Sequence, residues 1–115
     1  MIKEEKRFSY KINDGILEIK LTGEIDHHSA VNVRSEIDAL IFDYRPKKVV
    51  LDLSEISFMD SSGLGLIMGR YALVKDFGGT FTLRAPTVAV MKILSLAGME
   101  RMIKIEKSIK EDVKK

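Results

Sequence analysis

Apolar side chains repeat at period two through Phe8, Tyr10 and Ile12, and an apolar run resumes with Ile16, Ile19 and Leu21 after Asn13-Asp14-Gly15. Two such runs split by a compact Asn-Asp-Gly turn predict an antiparallel hairpin. After Thr22-Gly23-Glu24-Ile25-Asp26 the period lengthens. Ala30, Val33, Ile37, Leu40 and Ile41 fall at helical spacing, with Ser29 a candidate N-cap, Asp26 close to the start and Pro46 beyond the end. Val49-Val50-Leu51-Asp52-Leu53 is short, β-branched and largely apolar, which suits a buried central strand. A second helix is expected after Asp60-Ser61-Ser62-Gly63, ending before Gly78-Gly79, followed by a strand from Thr80 to Leu83. Residues 86–97 read as a third helix, with Pro86 near its first turn and Gly98 just past its end. Met102 to Ile105 is a candidate edge strand, and the charged ends 3–7 and 107–115 read as solvated tails or a frayed final helix.

The order β-β-α-β-α-β-α-β-(α) predicts an α/β fold: a mixed, mostly parallel sheet of four to five strands, an N-terminal hairpin and about four helices. With no linker-like or low-complexity stretch, residues 1–115 read as one continuous domain. The second helix is apolar on two sides. Leu64, Ile67, Met68, Tyr71 and Val74 make one stripe, while Leu66 and Leu73 lie nearly opposite with Gly69 beside them. Either the helix is buried on both sides, or one side is an interaction surface with Gly69 allowing close approach and Arg70 at its rim.

Composition narrows the picture mainly by exclusion. Apolar residues at 45% and charged residues at 31% are a globular balance, and 19 Lys and Arg against 17 Asp and Glu leave a net charge of only +2. That is too balanced for direct nucleic-acid binding through bulk charge. The absence of cysteine excludes disulfides, thiol catalysis and cysteine-ligated metals. No apolar run approaches the ~20 residues that cross a bilayer, and the charged start has no signal-like apolar region, so no membrane role is expected and the expected location is the cytoplasm.

Two polar clusters could carry chemistry. Phe58-Met59-Asp60-Ser61-Ser62-Gly63-Leu64-Gly65 follows the central strand and opens a helix. Ligand sites in open parallel sheets form at such strand ends, and helix N-termini receive phosphates readily. The plain alternative is N-capping by Asp60 or Ser61. The P-loop, dinucleotide and nucleophile-elbow patterns all fail position by position. The second cluster, Gly23-Glu24-Ile25-Asp26-His27-His28-Ser29, holds the chain's only two histidines. Adjacent histidines point apart on most backbones, so no metal site is called for. A hydrolytic set of Asp26, His27 or His28, and Ser61 or Ser62 lacks any oxyanion motif. If the strands ending near Ile25 and Leu53 are neighbours, Asp26 and Ser61 decorate one edge of the sheet.

Taken together, residues 21–30 (LTGEIDHHSA) and 49–71 (VVLDLSEISFMDSSGLGLIMGRY) resemble the anti-sigma-factor antagonists, bacterial proteins of the STAS domain family, and most of all their sporulation branch. The resemblance implies a switching protein with no catalysis and no cofactor of its own. It implies binding to an anti-sigma factor that is also a serine kinase, release of a sigma factor, phosphorylation of the antagonist and reversal by a serine phosphatase. Ser61 then matches the phosphoacceptor, Asp26 the acidic residue of the facing loop, and Gly63 the glycine that opens the helix. Asp60, Ser62 and Arg70 complete the expected partner-binding set. A small-molecule or nucleotide-binding module that uses the same helix start, weak nucleotide binding included, or a structural subunit of a larger signalling assembly, are the alternative readings.

Overall fold

A computed structural model describes residues 8–107. The hairpin forms as expected: β1 (Phe8–Asn13) runs antiparallel to β2 (Ile16–Ile25). Asp14 and Gly15 both take positive φ, the double left-handed turn that matches strand twist in a two-residue hairpin. Then follow α1 (His27–Tyr44), β3 (Lys48–Met59), α2 (Ser61–Asp76), β4 (Thr80–Arg84), α3 (Val88–Leu96), a short 3-10 turn at Met99–Arg101, and β5 (Lys104–Glu106). The five strands lie in chain order, β1-β2-β3-β4-β5, and every pair after the hairpin is parallel. Among the described residues there are three α-helices. The fourth expected helix falls within 107–115, where only Lys107 lies inside the described residues.

One face of the sheet carries Leu17, Ile19, Leu21, Val49, Leu51, Phe81 and Leu83, all buried, against Val33, Ile37 and Ile41 of α1 and Ile67 and Val74 of α2. Full burial of side chains of this size stabilises by roughly 1.5–3 kcal/mol each, before conformational entropy is subtracted. On the opposite face Arg84 bridges Glu18 at 3.3 Å and Glu106 at 3.5 Å, linking β2, β4 and β5.

Three boundaries differ from expectation for identifiable reasons. The central strand runs to Met59, well past Leu53. Its register with β2 shifts between Lys20 and Thr22 and again between Gly23 and Glu24, so its inward residues become Leu53, Ile56 and Met59, at a spacing of three that hides a strand's alternation. The cap of α1 is Asp26, not Ser29. The third helix starts at Val88 because Thr87 is its cap, its Oγ1 accepting from the Val90 amide at 3.2 Å, which leaves Pro86 outside the first turn.

Candidate functional site

β2 and β3 end side by side, Ile25 against Met59, and each passes through one aspartate into a helix. The Asp60 amide donates to the Ile25 carbonyl at 3.2 Å, tying the two exits together. α1 and α2 therefore start next to each other on one sheet edge, with Asp26 and Ser61 both on it.

The two starts are built differently. At α1, Asp26 Oδ1 accepts from the Ser29 amide at 2.9 Å, and Ser29 Oγ accepts from the Asp26 amide at 3.0 Å, a closed capping box. The Ser29 hydroxyl also lies 3.0 Å from the Glu24 carbonyl, to which it donates. The Ser29 amide is the main reason the Asp26 carboxyl lies below its ordinary range. Desolvation opposes it, while the Ser29 hydroxyl and the amide and charge of His28 add to the lowering. At α2, Asp60 Oδ1 accepts from the Ser62 amide at 2.8 Å and nothing returns the contact from the third helical residue, which is Gly63.

Gly63 has no unusual φ; its reason is packing. A Cβ there would overlap Met59 Cγ and lie 2.5 Å from Met59 Sδ, so the missing side chain lets the first turn of α2 settle onto the end of β3. Ser61 is exposed and Ser62 half-buried, and neither hydroxyl makes a hydrogen bond among the described residues. A phosphate on Ser61 would therefore displace no internal contact of that hydroxyl, at a helix end whose unpaired amides favour negative charge.

Arg70 is not at an exposed rim. Its side chain is only 8% exposed, with Nε 2.7 Å from Asp38 Oδ1, Nη2 3.4 Å from Asp38 Oδ2, and Nη1 donating to the Leu66 carbonyl at 3.2 Å. It pins the middle of α2 to the middle of α1. Burial pulls its pKa down, the charge of Asp38 opposes this, and the charge of Arg34 adds to the lowering. Sequence gave no signal for Asp38, which lies 32 residues away. Below the pin the same seam closes on aromatics: Phe42 meets Phe77 edge-on at 5.4 Å, and the Arg45 guanidinium lies 4.7 Å from the Phe77 ring centre. Above the pin, towards Ser61, the helices leave an open groove of about 230 Å³. Gly65 and Gly69 add a further surface, since a Cβ at either would meet nothing within 4 Å. Among the described residues no group of His, Asp and Glu side chains could hold a metal ion, and no helix is long and apolar enough to cross a membrane.

The STAS domain model matches residues 7–112. This chain belongs to the STAS domain family. It is 37% identical over 91 residues to the anti-sigma F factor antagonist of Paenibacillus polymyxa, covering 79% of this chain and 78% of the relative. Among solved structures, the anti-sigma factor antagonist SpoIIAA in its unphosphorylated form matches with a TM-score of 0.76 at 28% identity, over 92% of each chain. The Bacillus cell fate determinant SpoIIAA in its phosphorylated form matches with a TM-score of 0.70 at 27% identity, over 92% of this chain and 96% of the other. The α/β architecture read from the residue pattern is thus that of a single STAS domain.

Proposed function

We propose that the chain is a cytoplasmic anti-sigma factor antagonist that acts by partner switching. Unphosphorylated, it binds an anti-sigma factor serine kinase, and the bound sigma factor is released. The kinase phosphorylates Ser61, the complex breaks, and a serine phosphatase restores the active form. Its 37% identity to an anti-sigma F factor antagonist directs the reading to sporulation transcription. The observation that carries the reading is the start of α2: an exposed serine with an unengaged hydroxyl, one residue past the Asp60 cap and on the same sheet edge as Asp26.

The roles follow from chemistry. Asp60 holds the first turn through the Ser62 amide, and Gly63 lets that turn sit low on the sheet edge. Ser62 follows the acceptor, Asp26 lies on the same sheet edge, and Arg70 acts from inside, setting α2 against α1. Phosphorylation adds about 1.5–2 negative charges and three acceptor oxygens. The helix end tolerates that charge in the free protein. Facing a kinase site that already holds nucleotide phosphates, it meets repulsion of several kcal/mol in order of magnitude. About 3 kcal/mol weakens binding more than a hundredfold. No refolding is required, in keeping with the likeness of this chain to SpoIIAA in both forms.

The test is intact mass after incubation with the cognate anti-sigma kinase and ATP. One added phosphate, absent from Ser61→Ala, is expected. Phosphate incorporation that persists in Ser61→Ala moves the acceptor to Ser62, and no incorporation in the wild type removes the reading.

A further inference from the structure

The groove between the upper turns of α1 and α2 has an unusual lining. His27, Val31 and Arg34 face it from α1, and Ser62, Gly65 and Leu66 from α2, with no acidic side chain on its walls. The two helix N-termini at its upper end are capped by Asp26 and Asp60, whose carboxylates offset the partial charge there, so the cationic side chain the groove presents is Arg34. Arg34 is exposed and makes no ion pair among the described residues. The acid one turn further along α1, Asp38, is already engaged by Arg70, whose own charge Arg34 opposes. Among the described residues the fold thus gains no ion pair from Arg34, whose charge acts against that of Arg70. Gly65 is similarly unexplained from within. It lies inside a helix, where glycine is about 1 kcal/mol worse than alanine. Its φ is ordinary and a Cβ would meet open space.

We propose that this groove is a docking site for an acidic side chain of the anti-sigma factor, with Arg34 as its ion-pair partner and the bare Cα of Gly65 admitting the partner's backbone. The proposal rests on the antagonist reading above and names the partner chemistry that reading leaves open. Arg34 selects a carboxylate, and the flanking Val31, which is 44% exposed, offers apolar contact for the stem that carries it. Position selects the anti-sigma factor. Ser61 and Gly65 are one helical turn apart on the same face, their side-chain positions roughly 5–6 Å apart, so a kinase that reaches Ser61 also covers the mouth of the groove.

The test is a titration against the anti-sigma kinase encoded by the same genome, at low and high salt, with thermal melts on every variant. Arg34→Ala should weaken binding by about tenfold and Arg34→Glu by about a hundredfold, while Arg34→Lys stays close to wild type. The salt dependence of affinity should be shallower in Arg34→Ala than in the wild type. Gly65→Ala should melt higher yet bind more weakly, a combination that no loss of folding produces. Equal affinities for wild type, Arg34→Ala and Arg34→Glu would overturn the groove assignment while leaving the antagonist reading standing. So would an Arg34 effect confined to the phosphorylated protein, which would make the groove a site for its own phosphoserine. A wild type that neither binds nor is phosphorylated would instead remove the antagonist reading, and the groove assignment with it.

Discussion

α1 and α2 begin on the same sheet edge, after adjacent strands, with the same cap residue, and yet they use their first-turn hydroxyls in opposite ways. In α1 the third helical residue is Ser29, and its buried hydroxyl accepts from the Asp26 amide and donates to the Glu24 carbonyl. In α2 the third helical residue is Gly63, because Met59 occupies the space a side chain would need. The Asp60 amide consequently turns to the Ile25 carbonyl, and the serines at the first two helical positions keep their hydroxyls unengaged. One start is closed for stability, the other is left open with an exposed serine outside. The acceptor role proposed for this exposed serine needs a helix start held firmly by something other than its own hydroxyl. Here the Asp60 carboxylate and the Gly63–Met59 packing supply that hold.

The comparison is most sharply broken by making α2 resemble α1. Gly63→Ser puts the α1 residue at the equivalent place, and cap chemistry alone predicts stabilisation. The packing predicts the reverse: Met59 must leave a buried position, a strain of about 1–3 kcal/mol. Chemical denaturation measures it. Met59→Ala in the same chain should make the two effects less than additive, because the residues share one space. A Gly63→Ser protein more stable than the wild type would mean the open start of α2 has nothing to do with Met59.

A smaller effect is expected at the closed start. Ser29→Ala removes the reciprocal half of the box and leaves the Asp26 amide without that acceptor, a loss of about 1–2 kcal/mol. The same box makes a pH prediction. The Asp26 carboxyl lies below its ordinary value of 3.8, chiefly through the Ser29 amide. Its contribution to stability is therefore complete above the unfolded value and is lost as the pH falls through the lower folded one. Melting temperature measured from pH 6 down to pH 2 should drop less steeply in Asp26→Asn than in the wild type. Identical slopes would show that the cap does not depend on the charge of Asp26.

How much of this the residue pattern carried depended on whether a feature was local. The hairpin, the α/β alternation and the start of α2 were legible, because period-two runs, helical spacing and Asp60-Ser61-Ser62-Gly63 are each contained within a few residues. The shared edge of Asp26 and Ser61 was legible too, since parallel neighbours end on one side. The length of β3 was not, because register shifts replaced alternation by the spacing of Leu53, Ile56 and Met59. Nor was the inward turn of Arg70, whose partner Asp38 sits on another helix. The capping box at α1 was written in the order Asp26-His27-His28-Ser29, but serine is itself a common cap, and only geometry separates a cap from a residue three places inside.

The smallest expected change in stability belongs to the residue with the largest expected change in behaviour. Ser61→Ala deletes a hydroxyl that makes no hydrogen bond among the described residues, at an exposed position in a helix whose cap is the neighbouring aspartate. Nothing is left unsatisfied and no cavity forms, so stability should stay within about 0.5 kcal/mol of the wild type, and alanine's helix propensity favours a slight gain. Ser29→Ala, the same substitution two helical positions deeper at the neighbouring start, should be the less stable of the two in a side-by-side denaturation series. Their order in phosphorylation should be the opposite: Ser29→Ala is expected to accept phosphate from the anti-sigma kinase and Ser61→Ala to accept none. If Ser61→Ala instead unfolds as readily as Ser29→Ala, the Ser61 hydroxyl is part of the cap. The contrast between a closed and an open helix start would then fail at the residue on which it most depends.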